Sequence, residues 1–143
     1  MAKPASAKKE GSAKPVKGAD FGDLLLAPAP AEDTASYEPQ MLRRAAELGW
    51  EAASRHRKGT SLVQIDRDPE MRRGTIPVSI ITIVNDNMPF LFDSVMGEIT
   101  DKAGEPFLVT HPVLLVHHSE DGVDEIFPEG SASRDLPVEK LSV

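Results

Sequence analysis

The chain has 143 residues, a formal net charge of −7 and a pI near 5.1, and it contains no cysteine. The missing thiols remove disulfides, thiolate metal sites and cysteine nucleophiles together. The acidic balance argues against nucleic acid as a partner of the folded part, and the length suits one domain.

Residues 1–35 are dominated by Ala, Lys, Pro, Gly and Ser, with one apolar island, "FGDLLLAPAP". Such a stretch buries too little apolar surface to offset its ordering entropy, so it reads as a disordered tail. Five lysines (Lys3, Lys8, Lys9, Lys14 and Lys17) make its start basic, without the arginine and aromatic interleaving of a nucleic-acid arm. Leu24 to Leu26 are too short an apolar run for a signal segment or a membrane span, and a cytoplasmic location is expected.

Residues 36–74 read as a helix followed by a short strand. The helix is expected from about Tyr37 to Lys58, with Ser36 as N-cap and Pro39 in the first turn. Its stripe is Met41, Leu42, Ala45, Ala46, Leu48, Gly49, Ala52 and Ala53. The stripe is rich in small residues, so it should pack closely on a neighbour. Arg55 to Lys58 load the last turn with positive charge ahead of Gly59. Leu62, Val63 and Ile65 mark the strand, ended by "DRDP".

Residues 75–128 read as a β-α-β-β unit. "GTIPVSIITIVND" is apolar on both faces, the pattern of an internal strand. A helix is expected from about Met88 to Lys102, because Met88, Leu91, Phe92, Val95, Met96, Ile99 and Ala103 share one face. "PFLVTHPVLLVHH" is the next strand, and Pro112 inside it predicts an edge or a bulge. "SEDGV" is a turn, and Val123 to Phe127 a short return arm. Residues 129–143 are polar and read as a disordered end.

Asn85, Asp86 and Asn87 stand where the strand turns into the helix. Asn and Asp favour such turns through bonds to their own backbone, and a helix start also presents free N–H groups to a ligand. Both readings stay open for the stretch Asn85, Asp86, Asn87, Met88, Pro89 and Phe90. Asp93 fits the helix dipole, and Ser94 has neither a nucleophile motif nor an identifiable base around it. His111 and His117 share a strand face while His118 points away. No metal site is read, because no spacing of His and carboxylate completes one. No nucleotide loop and no catalytic constellation is present in the sequence.

"VNDNMPFLFDSV", followed by "THPVLLVHH" and an acidic "EDG" turn, resembles the N-terminal region of the large bacterial NAD-specific glutamate dehydrogenases. That family carries D-D-M-P-F-L-V-D-S-V, then H-P-V, then an R-D-x-x-G turn. The match places Asp86 to Val95 on the first motif, with Asp93 and Ser94 inside it, and His111-Pro112-Val113 on the second. Asn87 replaces an Asp, Phe92 replaces a Val, and His118 to Asp121 replace the Arg-Asp pair.

The resemblance implies an α+β fold, a partial ACT-like (ferredoxin-like) β-α-β-β unit preceded by one amphipathic helix and a disordered tail. Its first turn, Asp86 to Phe90, lies where ACT modules hold amino acids, with Phe90 in the place of a glycine. It also implies a fragment with regulatory or oligomer-forming work and no catalytic site or cofactor of its own. The parent enzyme would use NAD to oxidise L-glutamate to 2-oxoglutarate and ammonia. The implied partners are the remainder of the dehydrogenase or other ACT modules, with an amino-acid effector, and neither nucleic acid nor membrane. The alternative is a stand-alone amino-acid-binding or protein-interaction module.

Overall fold

The computed structural model describes residues 14–128 and the backbone of Glu139–Ser142. The other residues lie outside this description, and with them the lysines at the very start of the chain. A short 3₁₀ turn, Gly18–Asp20, leads into helices α1 (Phe21–Leu26), α2 (Ala31–Thr34) and α3 (Pro39–Arg55). The strands are β1 (Ser61–Asp66), β2 (Arg72–Arg73), β3 (Ile76–Pro77), β4 (Ile80–Asp86), β5 (Val113–His118), β6 (Val123–Pro128) and β7 (Glu139–Ser142), with α4 (Leu91–Ala103) between β4 and β5.

The expected β-α-β-β order is present as β4-α4-β5-β6. The main sheet has the order β1-β4-β7-β5-β6, and every neighbouring pair is antiparallel. Strands β4 and β5 both run against β7, so they are parallel to each other and joined by α4. This is the split β-α-β arrangement of ferredoxin-like folds. The chain is an ACT-like α+β protein. The helix–strand unit α3-β1 precedes the split unit in sequence and supplies the strand on its β4 side.

Several expectations change. The segment read as a tail is helical at residues 18–26 and 31–34, and Phe21 is fully buried with Leu25 almost so. Two buried apolar side chains suffice because α3 offers a surface built for them. Phe21 meets Trp50 edge-on with ring centroids 5.3 Å apart. A Cβ on Gly49 would lie 3.2 Å from Leu25, and one on Gly22 would lie 3.3 Å from the Ala46 methyl. The small-residue stripe is therefore the seat of α1. Two bonds tie the segment down: the Val16 N–H donates to the Ile126 carbonyl at 2.7 Å, and the Thr110 hydroxyl donates to the Leu25 carbonyl at 2.5 Å.

The end read as disordered contributes β7, which lies between β4 and β5. Its ladder compensates for the polar composition, since backbone pairing needs no apolar side chain. Strand pairing crosses the boundary at residues 74/75. Arg72 and Arg73 pair with Pro77 and Ile76 across it, and all six residues of β1 pair with β4. Residues 36–74 and 75–128 thus share one sheet.

Helix α3 begins at Pro39 with Glu38 as N-cap, not at Ser36, whose hydroxyl donates back to the Glu32 carbonyl. Proline's fixed φ suits the first helical position and fixes the start there. Strand β4 is internal, as its two apolar faces require. The residues before it peel off into the β2–β3 hairpin. Strand β5 starts after Pro112, because proline has no N–H for the ladder. It is flanked by β7 and β6, so it is internal and not an edge.

The core lies between α1, α3 and one sheet face, where Phe21, Leu25, Ala52, Ala53, Val84, Leu114, Val116 and Ile126 meet. The opposite face is uncovered beside β1. Val63 stands opposite Ile83 and Ile65 opposite Ile81, so side-chain alternation puts all four on that face. Val63, Ile65 and Ile81 are 62%, 56% and 41% exposed.

Candidate functional site: the turn after β4 and the cluster beside it

The Asn85–Phe90 turn is fastened to the chain that leaves α3. Ser61 Oγ donates to Asn85 Oδ1, the Asn85 amide donates to the Asp86 carbonyl at 2.8 Å, and the Gly59 N–H donates to Asp86 Oδ2 at 2.5 Å. Asn85 is buried. Of the two readings left open for these residues, the scaffold accounts for the side chains of Asn85 and Asp86. Asn87, Met88 and Pro89 are exposed.

Helix α4 begins at Leu91, three residues later than the apolar pattern predicts. Phe90 is its N-cap in the left-handed region, with φ 64° and ψ 4°, and makes no side-chain cap bond. The reversal at Phe90 lets the chain swing from Pro89 into the helix, which leaves Met88 outside. This conformation costs a residue with a Cβ about 1–2 kcal/mol. The Phe90 ring is 80% exposed and recovers little of it. Phe90→Gly is therefore expected to raise stability by about 0.5–1 kcal/mol, after glycine's larger unfolded-state entropy is subtracted. Urea denaturation of the two proteins measures it, and an unchanged or lower midpoint contradicts it.

Asp93 and Ser94 are exposed in the first turns of α4. The apolar face of α4 is only half-buried. A groove of about 500 Å³ separates it from α1, α3 and β4, lined by residues that include Leu25, Met41, Leu42, Val95, Met96 and Ile99. The residues of the Asn85–Phe90 turn are not part of this lining. Tyr37 borders the groove, and burial raises its pKa, partly offset by Arg73. Arg73 also caps the Phe107 ring at 4.8 Å.

His111 lies just ahead of β5 and stacks on Phe92, with centroids 4.8 Å apart and planes 14° from parallel. Pro112 is buried behind it. Desolvation lowers the His111 pKa from its ordinary 6.5. The unfolded chain therefore binds the proton near pH 6.5 while the folded chain still resists it. Stability falls as the pH drops from 6.5 toward the folded value. His111→Phe keeps a ring against Phe92 and should flatten that slope. Melting curves at about pH 7.5 and about pH 5.5 check it, and an identical slope in both proteins contradicts it.

The cluster that spacing did not reveal is His56, Asp86 and His118. His118 follows Leu114 and Val116 in strand alternation, so it faces the helix-covered side. A register shift between His117 and His118 re-aims the strand end there. Helix α3 crosses that side and ends at His56, which is fully buried. His56 Nδ1 lies 2.9 Å from His118 Nε2, and His56 Nε2 lies 2.7 Å from the Thr60 carbonyl.

A family model described as glutamate dehydrogenase, ACT1 domain, matches residues 21–142. The chain belongs to that family. The ACT1 match begins at Phe21, the first residue of α1, and runs through β7, so it reaches into both segments that composition had set aside as tails. A glutamate dehydrogenase-associated regulatory domain is thereby identified. No curated protein and no solved structure matches the chain. Among the described residues, no helix of this ACT1 domain is long and apolar enough to cross a membrane.

Proposed function

We propose that the chain is the non-catalytic, oligomer-forming regulatory module of an NAD-specific glutamate dehydrogenase of the cytoplasm. The parent would oxidise L-glutamate to 2-oxoglutarate and ammonia with NAD, the cofactor residing outside this chain. The observation that carries the reading is the exposed patch of Val63, Ile65 and Ile81 beside the edge strand β1. An edge strand leaves a row of backbone donors and acceptors unpaired. Joined to an apolar face, it is self-complementary under a two-fold axis. The occupant is a second copy of this module, paired along β1.

Catalysis is tested by incubating the purified chain with glutamate and NAD and following NADH. No turnover is expected, and measurable turnover overturns the non-catalytic reading.

The groove favours a second reading, amino-acid sensing. Its volume and apolar lining fall in the range of small-molecule sites. Calorimetry with a panel of amino acids in metal-free buffer separates the alternatives. Saturable heat lost in Asp86→Ala supports the turn as the site. Heat retained in that variant moves the site to the groove. No heat with any amino acid removes the second reading.

A further inference from the structure

We propose that His56, Asp86 and His118 form a binding site for a divalent transition-metal ion of the zinc class. The three residues come from three places in the chain, the end of α3, the end of β4 and the end of β5. Their donor atoms lie within 4.8 Å of one another. Two imidazole nitrogens and one carboxylate oxygen are the donor set that borderline metals prefer, and nitrogen donors disfavour magnesium and calcium. Three protein ligands leave a fourth tetrahedral position for water or another ligand.

The surroundings of each donor fit this use. The Thr60 carbonyl can only accept, so His56 carries a proton on Nε2 and directs the Nδ1 lone pair at His118. A ring nitrogen tied to a backbone carbonyl is the arrangement that orients metal-bound histidines. Without metal, His118 Nε2 donates to His56 Nδ1. With metal, that single hydrogen bond is replaced by two metal–nitrogen bonds, and the His118 proton resides on Nδ1. The Gly59 N–H holds Asp86 Oδ2, fixing the carboxylate at the rim of the cluster. All three donor atoms already lie within 4.8 Å of one another, so closing on one ion needs only a small side-chain adjustment that leaves the Gly59 bond in place. An ion there would pin the end of α3 to the ends of two sheet strands.

The test uses the purified chain without a histidine tag, stripped of metal, titrated with Zn²⁺ by calorimetry and with Co²⁺ by visible absorption. The expected result is saturable one-to-one binding, a tetrahedral Co²⁺ spectrum, and a higher melting temperature with Zn²⁺. His118→Gln should abolish the Co²⁺ spectrum, and Asp86→Asn should weaken Zn²⁺ binding at least about tenfold. His117→Gln, next to the site but on the opposite strand face, should bind as the parent does. His56→Gln alone is a poor test because that side chain is buried, so His118→Gln and Asp86→Asn carry the result once circular dichroism shows them folded. Absence of saturable binding, or equal binding in folded His118→Gln, overturns the site.

Discussion

Replacing Phe21 with alanine is expected to lower stability by about 3–5 kcal/mol, the cost of emptying a fully buried aromatic position. For a domain of this size that is a fall of roughly 10–20 °C in melting temperature. The ring fills the space between α1, α3 and the sheet, edge-on to Trp50 and in one cluster with Leu25, Ala46 and Val84. A residue in a solvated tail would change stability by no more than about 0.5 kcal/mol. The variant therefore decides whether the chain before α3 belongs to the domain. Thermal melting of Phe21→Ala beside the parent measures it, and a shift of only a degree or two contradicts the packing described.

The second large effect is expected at Gly122. This residue is buried in the turn between β5 and β6, with the Ser54 carbonyl of α3 directly where a Cβ would go. The contact would be closer than real Cβ atoms show, and its other party is backbone that cannot rotate away. The turn is also closed from within, since the Ser119 N–H donates to the Gly122 carbonyl at 2.8 Å. Gly122→Ala must push the turn off α3, at a cost of about 1–3 kcal/mol. Because His118 immediately precedes this turn and His56 immediately follows Arg55, the same displacement should separate the two imidazoles. Denaturant unfolding reads the first consequence, and the histidine ring resonances in NMR read the second. A variant with parental stability contradicts the close approach of turn and helix.

The elements with a strong local period were legible in the sequence. Strand β4 announced its internal position by apolar residues on both faces, and α4 announced its apolar, half-buried side by Leu91, Val95, Met96 and Ile99. The small residues of α3 announced a close neighbour without naming it. That neighbour, α1, was hidden because Phe21 and Leu25 sit in a stretch whose average composition is that of a linker. Composition sums over residues, whereas burial depends on the few that find a matching surface. Strand β7 was hidden for a related reason: what places it is backbone pairing to β4 and β5, which leaves little trace in side-chain pattern.

The polar cluster was illegible for a geometric reason. His56 and His118 are 62 residues apart, and neither carries a partner at a recognisable spacing. Strand alternation correctly separated His118 from His117. Only the tertiary crossing of α3 over that face brings His56 to it. The turn at Asn85 and Asp86 was read with two outcomes open, and its partners Gly59 and Ser61 show how both side chains serve the scaffold. The resemblance put Phe90 in the place of a glycine without foretelling its backbone; the left-handed φ of 64° is a conformation that glycine adopts without a Cβ penalty.

Self-association along β1 is the claim on which the proposed role depends. Sedimentation of the purified chain over a range of concentrations tests it most directly, run beside a variant carrying both Val63→Lys and Ile65→Lys. Both positions are exposed, so the lysines are expected to leave the fold intact while charging the face and edge that would pair. The predicted result is a reversible dimer for the parent chain and a monomer for the variant at every concentration. A parent chain that sediments as a monomer throughout, or a variant that dimerises equally well, would contradict the account.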